Sequence, residues 1–163
     1  LRVTLNGVGL NGVGLNGVGL NGVGIVVPVG VVRANIVQFN SAAVIKVADG
    51  LVTDNVVVAN DIGIVVEEAA VVTGNRISSN RIGVDVTGTG SSQTGNVSDG
   101  NSEIGLRVHC PANLTHNAAI GNATNLVLNG ADRVTSGNWY PDLAKTGHGR
   151  RSAGPPGGLQ LLC

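Results

Sequence analysis

The sequence predicts an all-β fold: a right-handed parallel β-helix solenoid of about six coils of 19–22 residues with a disordered C-terminal tail. Three observations predict it. Asn35, Asn55, Asn75, Asn96 and Asn117 are separated by 20, 20, 21 and 21 residues, and Asn40, Asn60, Asn80, Asn101 and Asn122 follow five places later in step. The apolar content is 42%, yet the chain holds one Phe, one Tyr and one Trp, so its interior must be built from Val, Ile, Leu and Ala. Such residues favour extended, half-buried backbone. The 26 glycines recur at periodic places between the apolar segments, where a corner admits no side chain.

The elements follow in chain order. Residues 5–24 are LNGVG written four times, and one coil needs about that length. The pentad block of residues 1–24 is therefore expected to be a first coil or a frayed cap. A pentapeptide-repeat square helix has Val where it needs a small residue, and a calcium-binding Gly-rich roll needs an Asp that each pentad lacks. Residues 25–140 are expected to form the β-helix. Segments 24–27, 43–46, 63–66, 83–86, 105–108 and 125–128 start three residues after an Asn of the second file, four in one case, and alternate as short strands. Their inward residues are Ile25 and Val27, Val44, Ile64 and Val66, Val84 and Val86, Leu106 and Val108, then Leu126 and Leu128. Lys46 breaks the alternation, and a bulge that turns Val47 inward resolves it better than a buried ammonium. Val32, Val52, Val72 and Leu114 form a second apolar file with Gln93 as its exception, and Val37, Val57 and Ile77 form a third.

Three strands per coil put equivalent asparagines about 4.8 Å apart along the axis. At that distance each amide can donate to the next, so both files are read as structural ladders. Asn also tolerates left-handed backbone and bonds its own turn. Past Leu128 the pattern fades. Trp139, Tyr140 and Pro141 are expected to lid the last coil, and 141–163 reads as a basic, Gly/Pro-rich disordered tail.

A formal charge of zero, from ten basic and ten acidic residues, removes the electrostatic footprint of a nucleic-acid binder. No 18-residue uncharged apolar span is present to cross a bilayer. Cys110 and Cys163 are far apart in sequence, which supports neither a disulfide scaffold nor a thiolate metal site. The chain has no Met and starts at Leu1, as expected of a processed product or a fragment of a longer parent with flanking domains.

The candidate chemistry lies on the outward side of one strand face. One column is read as Val26, Ile45, Val65, Asp85, Arg107 and Val127, and its neighbour as Val47, Glu67, Thr87, His109 and Asn129. Glu67, Asp85, Arg107 and His109 would then converge, giving a cation to neutralise an acidic sugar and a base to abstract a proton. Opposite charges across strands also serve solubility alone. Thr53, Thr73, Thr94 and Thr115 form a hydroxyl file that lacks the parallel partner file of an ice-binding face, and are read as turn hydroxyls. His116 and Asp54 share a column three coils apart, too far for a dyad. Sequons at Asn96, Asn113 and Asn122 are expected by chance in so Asn-rich a chain.

GNRISSNRIGVDVTGTG at 74–90 and NAAIGNATNLVLNGAD at 117–132 look like the recurrent and closing coils of right-handed β-helix repeat proteins of the pectate-lyase-like superfamily. The resemblance covers about residues 24–140. It implies an extracellular or cell-surface protein, mostly of bacterial type, with a polysaccharide as possible partner. The superfamily contains lyases, hydrolases, epimerases and non-catalytic surface proteins, so the fold does not imply the activity. Gly147, His148 and Gly149 spell a hydrolase-like GHG, but the accompanying aspartate motifs are absent, as is the epimerase motif. The expected function is therefore a structural or weakly carbohydrate-binding module, non-catalytic and without cofactor. The alternative is a polysaccharide lyase or uronate epimerase working at Glu67, Asp85, Arg107 and His109, with calcium only in the lyase case.

Overall fold

In the computed structural model, residues 24–130 are described in full, together with the strand backbone at Val3–Thr4, Asn11–Gly14 and Gly17–Gly19. The chain winds as a right-handed parallel β-helix of about five turns. Six rungs on one face bound those turns, which reconciles the count with the six coils expected from the sequence. All described strand pairs are parallel, because each coil returns to the same face one step further along the axis.

Each coil has three faces. The first carries Ile62–Val66, Ile82–Val86, Ile104–His109 and Thr124–Asn129. The second carries Ala70–Thr73, Ser92–Thr94 and Asn113–Thr115. In the two earlier coils one long strand, Ile25–Arg33 or Ala43–Thr53, runs over both faces without a break. Gly50 lies at that bend with φ of 126°, and a Cβ there would run into the Gly30 carbonyl oxygen. The third face is a separate six-stranded sheet that includes Ile36–Gln38, Val56–Val58, Arg76–Ser78, Val97–Asp99 and Ala118–Ile120. In the pentad block, Val3–Thr4 pairs with Ile25 and Val26, Asn11–Gly14 with 30–33, and Gly17–Gly19 with Ile36–Gln38. The lid expected at Trp139, Tyr140 and Pro141 and the tail at 141–163 lie outside the described residues.

The core is a column of aliphatic side chains with one layer per coil. Ile25, Ile45, Ile64, Val84 and Leu106 stack on the first face, Val32, Val52, Val72 and Leu114 on the second, and Val37, Val57 and Ile77 on the third. Leu126 and Leu128 pack on the last layer and are half-buried. Removing such side chains from water is the main driving force of the fold.

The strand expected at 43–46 is shifted by one residue. Ile45, and not Val44, stacks between Ile25 and Ile64, and Val47 stacks between Val27 and Val66. The extra residue is taken up in the turn after Asn40, so no bulge is needed and Lys46 points outward. Val44 is also buried, at the place that Gly24, Gly63, Gly83 and Gly105 fill in other coils.

Both asparagine files form continuous ladders at two of the three corners. In each, the Oδ1 of one asparagine accepts two bonds from the asparagine one coil earlier. Asn55 Oδ1 receives the Asn35 backbone N–H at 3.0 Å and the Asn35 Nδ2 at 2.9 Å, and Asn75 Oδ1 receives the same pair from Asn55 at 3.0 and 2.9 Å. Asn60, Asn80 and Asn101 repeat the pattern in the second file. The second file ends on Asn125, whose Oδ1 takes the Asn122 backbone N–H at 3.1 Å and Nδ2 at 2.9 Å.

The left-handed residue of these corners is not the asparagine, contrary to the sequence expectation. It is the residue before it. Ala34, Phe39, Asp54, Ala59, Ser79 and His116 have φ between 53° and 56°, and Gly74, Gly95, Gly100 and Gly121 lie between 59° and 66°. Asn35, Asn40, Asn55, Asn60, Asn75 and Asn80 reach back over that residue, as when Asn55 Nδ2 donates to the Thr53 carbonyl at 3.0 Å. The side chain thus fastens a turn that an L-residue disfavours by about 1–2 kcal/mol.

Candidate functional site

The first-face strands place the expected residues by register. Asp85 pairs with Val65 and with Arg107, so carboxylate and guanidinium lie one coil apart on the outer side. Arg107 Nη1 donates to Asp85 Oδ2 at 3.1 Å. Asp85 is 8% exposed, and its Oδ1 is buried without a partner among the described residues. A desolvated carboxylate oxygen is costly, and the adjoining guanidinium offsets part of that cost.

Glu67 is committed elsewhere. It accepts an ion pair from Lys46 at 2.8 Å, and both side chains are substantially exposed. The pairing follows from the corrected register: Lys46 replaces Ile45 in the outer column with Val26, Val65, Asp85 and Arg107, and Glu67 lies diagonally beyond Val65. Ala48, not Val47, precedes Glu67 in the neighbouring column. His109 is exposed on the Arg107 strand. Among the described residues, no hydrogen bond or ion pair joins Glu67 or His109 to Asp85 or Arg107. The structure therefore brings together one pair of the expected four, and it adds Lys46 to the group.

Other polar files are tied within the scaffold. At the corner beyond the second ladder, Arg81 bridges Asp61 through Nε at 2.6 Å and Glu103 through Nη1 at 2.6 Å. The hydrogen bond to Asp61, then that to Glu103, holds the Arg81 guanidinium well above its ordinary value. The sequence reading missed this triad, although the 20- and 22-residue separations of its members already matched the coil period. The threonine file stands in register on the second face, where Thr94 and Thr115 hydroxyls lie 2.9 Å apart. Asn96 and Asn122 of the three sequons are buried in the ladders, and Asn113 is exposed.

Cys110 corrects a further expectation, since it is disulfide-bonded. The chain's other cysteine, Cys163, lies outside the described residues. Among the described residues there is no group of three or more His, Cys, Asp or Glu that could hold a metal ion, and no helix long and apolar enough to cross a membrane.

No protein-family model, curated protein or solved structure matches this chain. The parallel coil geometry is what the structure establishes.

Proposed function

We propose that the chain is an extracellular or surface-displayed module of the pectate-lyase-like superfamily, structural or weakly carbohydrate-binding, and without catalytic turnover. One observation carries this reading: both acids of the candidate group are already engaged by cations, Glu67 by Lys46 and Asp85 by Arg107. A general base must reach the proton it abstracts with an available lone pair. Asp85 presents little surface to a substrate, and Glu67 shares its charge with an ammonium. The disulfide at Cys110 supports an oxidising compartment. On the outer faces the paired charges and hydroxyls suit sugar hydroxyls. Phe39 is the one aromatic side chain of the described residues, so stacking platforms contribute little and affinity is weak, on the order of millimolar.

The test is incubation with uronate polymers, with and without calcium, while the absorbance of unsaturated product is followed. No product is expected, and affinity electrophoresis is expected to show weak retardation at most. Product that forms with the native protein and vanishes in a folded Arg107→Ala variant would overturn the proposal in favour of the lyase or epimerase.

A further inference from the structure

The interior of one coil differs from all the others described. In residues 82–101 the three inward positions that elsewhere hold mostly apolar side chains are Ser91, Gln93 and Ser98, at 2%, 0% and 0% exposure. Gln93 stands in file between Val72 and Leu114, and Ser98 between Ile77 and Ala119. By the same register Ser91 stands between Ala70 and Ala112. This coil is therefore polar inside on its second and third faces, while Val84 and Val86 keep its first face apolar.

Ser98 is satisfied by the protein. Its Oγ donates to the Gly105 carbonyl at 2.8 Å and accepts from Asn101 Nδ2 at 3.0 Å. Gln93 Nε2, Gln93 Oε1 and Ser91 Oγ have no hydrogen-bond partner among the described residues. Together they offer two N–H donors, one hydroxyl and several lone pairs. Both are buried, Gln93 in the strand Ser92–Thr94 and Ser91 just before it, two residues apart, a separation of about 7 Å along extended backbone. In the conformation observed the two side chains make no hydrogen bond to each other, which leaves their polar atoms to a bridging molecule.

We infer that this layer is a hydration site, in which one or two ordered water molecules bond Gln93 Oε1 and Nε2 and Ser91 Oγ. The neighbouring side chains are short: the third-face file that begins Val37, Val57, Ile77 continues as Ser98 and Ala119, and Ser91 stands between Ala70 and Ala112. Buried water typically makes about three hydrogen bonds to otherwise unsatisfied polar groups, and a site that is polar and roomy is where it settles. No acidic or basic side chain lines the layer, so an ion has nothing to balance its charge, and the amide and hydroxyl match a neutral donor and acceptor.

The test is a crystal structure of the native protein at a resolution that shows ordered solvent, with water-to-protein cross-relaxation by NMR on the same protein. A solvent peak is expected about 2.7–3.2 Å from a Gln93 side-chain atom and from Ser91 Oγ. The Gln93 side-chain amide protons are expected to show cross-peaks to long-lived water. Ser91→Ala should weaken the solvent peak while leaving the fold intact. A Gln93 amide bonded directly to protein groups, with neither solvent peak nor water cross-peak, overturns the inference. Both native measurements stand whether or not a variant folds.

Discussion

Asn75→Ala tests the central claim about the ladders most directly. Asn75 Oδ1 is the acceptor for both the backbone N–H and the Nδ2 of Asn55, and Asn75 Nδ2 donates to Asn96 Oδ1 at 3.0 Å, the Val52 carbonyl at 2.9 Å and the Thr73 carbonyl at 3.1 Å. Truncation leaves the buried Asn55 N–H without its partner, at about 1–3 kcal/mol for an orphaned donor. Asn55 Nδ2 keeps the Val32 and Thr53 carbonyls, and Asn96 Oδ1 keeps the Asn75 N–H, so the other losses are partial. The sum is about 2–5 kcal/mol. With a urea slope near 2 kcal/mol/M, the unfolding midpoint falls by about 1–2.5 M, read by circular dichroism. Gln38→Ala, an exposed outward position, should shift the same transition by less than about 0.5 kcal/mol. A loss below about 1 kcal/mol for Asn75→Ala, no larger than that of the surface control, would refute the view that stacked amides hold the corners.

Three further outcomes are expected. Ala59→Gly, at φ of 55°, should stabilise the protein by about 0.5–1 kcal/mol because glycine relieves left-handed strain that exceeds its cost in chain entropy; destabilisation in the same urea titration would contradict the corner geometry. Arg107→Ala should cost about 1–3 kcal/mol by stranding a buried carboxylate, whereas Lys46→Ala, which breaks an exposed pair, should cost under about 0.5 kcal/mol. Equal losses would show that burial of Asp85 is immaterial. Thiol alkylation without reductant should leave Cys110 unmodified, and recovery of Cys110 as an alkylated free thiol would count against its disulfide.

The ladders were legible in the sequence because they require one residue type at every coil, and nothing else replaces a side chain that both donates and accepts across the stack. First-face rungs were legible from alternation, even at 105–108, where the turn after Asn101 is one residue longer. Ala43 to Val47 defeated that reading: both Val44 and Ile45 are apolar, and only the charge on Lys46 marked which frame faced solvent. The mistake moved Lys46 out of the candidate column and hid its pairing with Glu67. Asp85 with Arg107 was recovered because two correctly aligned strands stack them. His109 was placed on the right strand, but shared placement does not make contact. The left-handed positions were illegible, since Ala34, Phe39 and Ala59 carry no sign of the conformation that the following asparagine fastens.

The face between the two ladders never changes length: the asparagines are five residues apart in every coil. All variation falls on the remaining arc. From Val47 to Val52 the chain takes five steps, from Val66 to Val72 six, and from Val86 to Gln93 seven. The turn after the second ladder also takes four steps or five, and the unlatched bend is where circumference varies most. Evolution or a designer can splice a longer excursion there, while the amide stacks keep successive coils in phase and leave the neighbouring layers undisturbed.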